Sequence, residues 1–337
     1  MGSVDSARRL LEGSRRVLIS GHLRADGDCL GAQSVLYHLC RALGKEAEVL
    51  LPDDPDGRYD FLHVHTPYRT LAELEGEGEE IPEHDLVFVC DCSTLDRLGR
   101  LGEILRARPE PIILVDHHPL RPEDEASFQA FVHSVEAPAS GLLAWNFARS
   151  FGVELPPAAH EAAFTALATD TGWFRYSNAG LGAWEAATAM VAAGVQPDRV
   201  FGLIYQRCDR RRPAGIAASL QHLEYHLEGR LALAWVGQED LRRAGGSLED
   251  TDEVLDILRS VAGVEAVAFL HERAPGEVKA SLRSQGGVDV SRVARALGGG
   301  GHARAAGVTF EPGTTLLQAV DRVRSALVEA VATAAAG

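Results

Sequence analysis

The sequence predicts an α/β protein: a mainly parallel sheet flanked by helices, followed by a smaller C-terminal α/β domain. Three observations lead there. Through residue 194, short apolar runs of strand length alternate with longer segments of helical periodicity, the rhythm of a parallel sheet with crossover helices. A polar, arginine-rich stretch, Gln206 to Pro213, then breaks that rhythm. The 337 residues also exceed what one core comfortably holds, since single cores stop growing near about 250–300 residues. The expected division is a domain over 1–194, a partly helical linker over 195–214 and a second domain over 215–337.

Each element has its own justification. Arg16 to Ser20 reads as a buried strand ending at Gly21. From about Leu30 to Leu43, the apolar residues Leu30, Val35, Leu36, Leu39 and Leu43 keep helical spacing and stop at Gly44. Glu46 to Leu51, Asp85 to Cys90 and Pro111 to Val115 are further short apolar runs, as parallel strands covered on both faces require. Helices are expected near 140–151, 157–169 and 181–194, and the acidic stretch Glu73 to Glu80 as a solvated loop. In the second domain, strands are expected near 231–236, 264–271 and 277–284. Helices are expected there near 214–227, 249–260, 289–297 and 314–334.

Composition narrows the function. Residues of hydrophobic type make up 46% and charged ones 24%, the balance of an ordinary folded chain. No apolar run reaches the roughly 18 residues of a membrane span, and the N-terminus lacks an apolar signal core, so cytoplasmic residence without a membrane partner is expected. The formal charge of −15 argues against a protein that grips long duplex DNA by neutralising its phosphates. A short polyanion in a local basic pocket stays compatible with it. The five cysteines, Cys29, Cys40, Cys90, Cys92 and Cys208, form no paired framework and are read as structural.

Four clusters carry the chemistry. His22-Leu-Arg-Ala-Asp26-Gly-Asp28 follows the first strand, Asp91 the third, and Asp116-His117-His118 the fourth; Thr169-Asp170-Thr171-Gly172 follows a helix. Taken singly, each has a plain reading: an aspartate after a strand often caps a helix or makes a turn, and a lone histidine is often a satisfied core residue. Together they are harder to explain that way. Carboxylates converging on one sheet edge repel one another and raise their own pKa values, a penalty that a bound dication removes. Sites of open parallel sheets lie outside the carboxyl ends of the strands.

These four clusters, with Gly298-Gly-Gly-Gly301-His302 and Val278-Lys-Ala-Ser-Leu-Arg283-Ser284 downstream, resemble the motifs of the DHH phosphoesterase family with its associated C-terminal domain. The resemblance runs over about residues 15–310 and is nearest to the nano-RNase and 3′-phosphoadenosine 5′-phosphate phosphatase branch. Ala25 stands where the family often has proline, and Gly31-Ala32 where it often has Gly-Ser. Neither position is a metal ligand.

The resemblance implies a two-metal hydrolase, an exonuclease acting on short oligonucleotides or nucleotides. His22, Asp26 and Asp91 would bind one ion; Asp28, Asp91, His117 and Asp170 the other, with Asp91 bridging. A mixed carboxylate and imidazole shell favours manganese, with magnesium or cobalt as alternatives. Asp116 would orient a histidine, and His118 would donate to a phosphate oxygen, so Asp91, Asp116 and His118 are the expected catalytic residues. Arg283, Ser284, Gly299, Gly300, Gly301, His302 and Arg304 would bind substrate, the glycines by offering unobstructed backbone amides to an anion. The same cluster would serve a cyclic di-AMP phosphodiesterase. An inorganic pyrophosphatase fits the C-terminal motif less well. A reading of another class is a non-catalytic nucleotide sensor, against which the intact ligand set argues. A homodimer is the expected assembly.

Overall fold

A computed structural model describes residues 3–247, 252–285 and 287–334. The chain divides into two compact units, Met1–Arg207 and Cys208–Gly337.

The first unit is built on six strands: β1 (Arg16–Gly21), β2 (Glu46–Leu51), β3 (Tyr68–Thr70), β4 (Leu86–Cys90), β5 (Ile112–Asp116) and β6 (Ala130–His133). Every neighbouring pair is parallel, in the order β3-β2-β1-β4-β5-β6. The order reverses between β1 and β4, which opens a crevice at the carboxyl ends of those two strands. The central strands explain themselves by alternation, since successive side chains point to opposite faces. Val17, Ile19, Phe88, Ile113 and Val115 enter one core; Leu18, Val87, Val89 and Leu114 enter another with Leu95, Leu98, Leu101 and Leu105.

On the first face lie three helices, α1 (Gly27–Ala42), α2 (Ser140–Arg149) and α3 (Pro157–Asp170), packed on one another. Small residues set their approach. A Cβ on Gly31 would come within 2.5 Å of the Ala162 carbonyl oxygen, and one on Gly141 within 2.2 Å of the Ala166 Cβ. This close packing brings the first residues of α1 and α2 and the last residue of α3 together above the sheet crevice.

The structure adds elements that periodicity does not reveal. A helix over Val4–Gly13 precedes β1, and β3 and β6 are edge strands of three and four residues, too short for a pattern to show. The acidic stretch expected as a loop is largely the helix Leu71–Glu77, stabilised by a capping box in which the Thr70 hydroxyl accepts from the Glu73 amide. The segment expected as a linker contains the helix Pro197–Tyr205, which belongs to the first unit, and the start of the helix Arg211–Leu220.

The second unit holds a mixed sheet of β7 (Glu224–His226), β8 (Leu231–Val236), β9 (Ala266–Ala274), β10 (Glu277–Ser284), β11 (Gly300–His302) and β12 (Ala305–Thr309), ordered β11-β12-β10-β9-β8-β7. Only β8 and β9 are parallel. The helices Val290–Ala296 and Leu316–Ala334 cover one face, and Arg211–Leu220 and Asp252–Arg259 the other. The helix expected over 214–227 ends earlier, and its last part is the strand β7. A short helix, Gln238–Ala244, went unforeseen. The helix expected over 249–260 begins at residues outside the described ones, and its described part is Asp252–Arg259.

Candidate metal centre

The crevice between β1 and β4 gathers the first three clusters. β1 ends at Gly21, which places His22 at its carboxyl end; β4 ends at Cys90, which places Asp91 beside it; β5 ends at Asp116, followed by the two histidines. Asp26 caps α1, accepting from the Asp28 and Cys29 amides. Asp28 lies in the first turn of α1 and Asp170 is the last residue of α3. Asp91 takes a left-handed backbone, φ +55°, a conformation that costs a non-glycine residue strain and recurs at functional sites.

The histidine tautomers can be read from their partners. His22 donates from Nδ1 to the Leu23 carbonyl at 2.8 Å, and His117 from Nδ1 to the Ala137 carbonyl at 3.1 Å. Each Nε2 is then free to offer a lone pair, and each is buried without a hydrogen-bond partner. They point at carboxylates: His22 Nε2 lies 3.3 Å from Asp91 Oδ2 and 4.0 Å from Asp26 Oδ1. His117 Nε2 lies 3.7 Å from each of Asp28 Oδ2, Asp91 Oδ1 and Asp170 Oδ2. Three equal separations too long for hydrogen bonds suit ligands arranged around a common ion. His22, Asp26 and Asp91 form one such group of donors, Asp28, His117 and Asp170 another, and Asp91, His117 and His118 a third.

Electrostatics agree with the geometry. Burial, then the charges of Asp91 and Asp170, push Asp28 well above the usual carboxylate range. Burial first, and Asp91 and Asp26 in addition, raise Asp170 to about 6, although His117 opposes the rise. Burial would also raise Asp91, but in the metal-free protein the hydrogen bond from His118, and then His22 when its ring is protonated, hold it well below the ordinary range. Among the described residues, no lysine or arginine side chain pairs with Asp26, Asp28, Asp91, Asp116 or Asp170. Lone-pair nitrogens facing clustered carboxylates that no lysine or arginine neutralises fit a divalent cation, whose charge removes both the repulsion and the orphaned donors.

His118 differs from His22 and His117 in having a carboxylate partner for Nδ1. Its Nδ1 donates to Asp116 Oδ1 at 2.9 Å, and its backbone amide donates to the same oxygen. Its hydrogen bond with Asp116, then that with Asp91, raise it to about 10, so the ring carries a proton at neutral pH. Its side chain is 43% exposed, which leaves Nε2 open to an incoming molecule.

In the second unit, Arg283, Ser284 and Arg304 line one open depression of about 390 Å³ together with Arg259 and Gln285. Gly299, Gly300, Gly301 and His302 do not line it. Gly300–His302 is instead the short edge strand β11, paired with β12. Two amides of the glycine run are already committed within the unit. The Gly298 amide donates to the Arg295 carbonyl and the Gly299 amide to that of Ala294, so both are spent closing the helix Val290–Ala296. Gly299 and Gly301 answer a packing need, since a Cβ would fall 2.1 Å from the Gly307 oxygen in one case and 2.6 Å from the Ala305 oxygen in the other.

The model of the DHH family, N-terminal domain, matches residues 16–193, and that of the DHHA1 domain matches residues 231–333. The chain belongs to the DHH family. It is 29% identical over 318 residues to the bifunctional oligoribonuclease and PAP phosphatase NrnA of Thermus thermophilus, covering 93% of this chain and 89% of that protein. Among solved structures, an exopolyphosphatase-related protein from Bacteroides fragilis superposes with a TM-score of 0.86 at 23% identity, covering 97% of this chain and 95% of the other. The exonuclease RecJ bound to manganese shares the fold at a TM-score of 0.51 and 18% identity, covering 96% and 94%. As a DHH phosphoesterase the chain is a hydrolase of phosphate esters.

Two residues of this DHH protein escape sequence reasoning. Ser140 opens α2; its amide donates to Asp28 Oδ2 at 2.7 Å and its hydroxyl to Asp91 Oδ1 at 2.9 Å, while the Gly141 amide donates to Asp28 Oδ1 at 2.7 Å. The sequence signal is only Ser-Gly at a helix start, which reads as an ordinary cap. Arg259 ends the helix Asp252–Arg259 far from any motif, yet it joins the two motif arginines in the depression, with its Nε buried and without a hydrogen-bond partner.

Proposed function

We propose that this DHH phosphoesterase uses two divalent cations, manganese foremost, to hydrolyse short oligonucleotides to mononucleotides, and that it also acts on 3′-phosphoadenosine 5′-phosphate. The observation that carries the metal dependence is the pair of buried Nε2 atoms of His22 and His117, each without a hydrogen-bond partner and each facing carboxylates. Bound ions would supply Lewis-acid stabilisation of charge on a phosphoryl group and lower the pKa of water.

The protein's own groups do the rest. Leu23 and Ala137 carbonyls fix the ring planes and tautomers of the two histidine ligands. Ser140 and Gly141 hold the Asp28 carboxylate by both oxygens, and Ser140 also holds Asp91. His118, kept protonated by Asp116, donates from Nε2 to a phosphate oxygen and stabilises the charge that grows there. Within the second unit, Arg259, Arg283 and Arg304 gather around one depression, a cluster of donors suited to an anionic phosphate. A basic patch confined to one small depression, on a chain of net charge −15, suits a polyanion of a few nucleotides rather than a long duplex. A substrate of this kind is also the one named for the Thermus relative, which spans most of its length alongside this chain.

The test is a manganese-supplemented hydrolysis panel of two-, five- and twenty-four-nucleotide RNAs, 3′-phosphoadenosine 5′-phosphate and cyclic di-AMP, with an EDTA control. Turnover that EDTA abolishes and that is fastest on the shortest RNAs is expected. Turnover confined to cyclic di-AMP would replace the substrate assignment, and inertness on every substrate would favour a nucleotide sensor.

A further inference from the structure

Beside the metal centre lies an aromatic cluster that neither metal binding nor phosphate binding uses. α3 ends at Asp170, and the chain then turns sharply through Trp173 and Phe174, at φ +60° and +61°. Left-handed backbone is rare for bulky residues and persists only where its surroundings enforce it. The turn is held by Thr171, whose hydroxyl donates to the Leu167 carbonyl and accepts from the Phe174 amide. Its effect is to set the Trp173 ring against the helix Pro197–Tyr205, 5.0 Å from Phe201 and 5.8 Å from Tyr205 between centroids. Phe201 and Tyr205 lie 5.1 Å apart. The inner end of the cluster is anchored on Phe164, which is buried, whereas Tyr205 is 40% exposed.

The outer end borders the site. The helix Pro197–Tyr205 packs on the turn Gly57–Tyr59, and the Tyr59 ring presses on Gly27, so closely that a Cβ there would meet it at 3.0 Å. Gly27 sits between Asp26 and Asp28. The guanidinium groups of Arg58, paired with Asp56 at 2.8 Å, and Arg175, which donates to the Gly172 carbonyl at 2.7 Å, lie toward the Tyr205 phenol. An exposed tyrosine backed by tryptophan and phenylalanine, with cations beside it, is how proteins hold an unpaired base next to its phosphate. The Arg175 guanidinium and the continuity with the carboxylate and histidine cluster favour a nucleotide over a second apolar protein surface.

Resting on the substrate reading above, we propose that Tyr205, supported by Trp173 and Phe201, is a stacking shelf for the nucleobase adjoining the scissile phosphate. Tyr205 is then a binding residue that makes base-bearing esters better substrates than base-free ones, whatever the base.

The experiment compares kcat/KM on a diadenosine dinucleotide with that on two analogues, each abasic at one of its two positions. The wild-type protein should lose about ten- to hundredfold on one analogue, mainly through KM, the size expected for one stacked base. Tyr205→Ala should lose as much on the intact dinucleotide and change less than about twofold on that analogue, and Tyr205→Phe should stay near wild type. Equal wild-type rates on all three substrates would overturn the shelf without touching the substrate reading. So would an equal loss in Tyr205→Ala on the intact and abasic substrates. Absence of wild-type turnover on every dinucleotide would instead overturn the substrate reading, and the shelf with it.

Discussion

Ser140 donates from its amide to Asp28 and from its hydroxyl to Asp91, so one residue at the start of α2 ties together carboxylates from two different groups of candidate metal donors. The amide bond would survive substitution and the hydroxyl bond would not. Ser140→Ala should therefore keep the fold and weaken manganese binding about tenfold, the low end of the effect of removing an outer partner of a ligand. Isothermal titration calorimetry checks this; unchanged affinity would mean that Asp91 needs no second support.

Asp116 acts through His118. Asp116→Asn removes the carboxylate that orients the ring and keeps its proton. The variant should lose about 10²–10³ in kcat with little change in KM. Its pH profile carries the sharper signature. A histidine raised to about 10 in the parent stays protonated across the neutral range. Without Asp116 it should lose its proton at a lower pH, so the alkaline limb of kcat should move toward neutrality. An unmoved limb would contradict a role for His118 as donor.

Asp170 illustrates the cost of building such a site. Its folded pKa of about 6 exceeds the ordinary 3.8, so folding favours its protonated form. That contribution to stability is fully present below about 4 and is lost as pH rises through about 6. In metal-free protein at pH 8, Asp170→Asn should therefore be more stable than the parent by about 1–2 kcal/mol, with the advantage vanishing near pH 4. Thermal denaturation in EDTA at both pH values checks the sign. The same variant should be inactive.

Arg259 should matter to binding and not to chemistry. Arg259→Ala should raise KM for a short phosphorylated oligonucleotide about tenfold at unchanged kcat, the scale of one charge-assisted hydrogen bond. Arg259→Lys should rescue only in part, because an ammonium cannot reproduce a planar fork. A fall in kcat with KM constant would remove Arg259 from the anion site.

How much of this was legible beforehand follows from the range of each signal. β1, β4 and β5 announce themselves because buried parallel strands are continuous apolar runs, and the residues just beyond them, His22, Asp91 and Asp116, stand out against that background. β3 and β6 are edge strands too short for periodicity, and the helix Leu71–Glu77 is masked by its own acidity, though Thr70 and Glu73 spell out its cap. Ser140 and Arg259 could not be found locally at all. Each becomes interesting only when packing brings it beside residues more than 20 positions away: Ser140 beside Asp28 and Asp91, Arg259 beside Arg283. The glycine run shows the opposite hazard. A motif that suggests an anion cradle has two amides already donated within its own unit.

We propose that His22, Asp26, Asp28, Asp91, His117 and Asp170 together hold two divalent cations. Anomalous diffraction at the manganese edge, from crystals grown with manganese, tests it most directly. Two strong peaks are expected, one among His22, Asp26 and Asp91 and one among Asp28, His117 and Asp170, both lost in Asp91→Ala. A single peak, or peaks that persist at full height in Asp91→Ala, would contradict it.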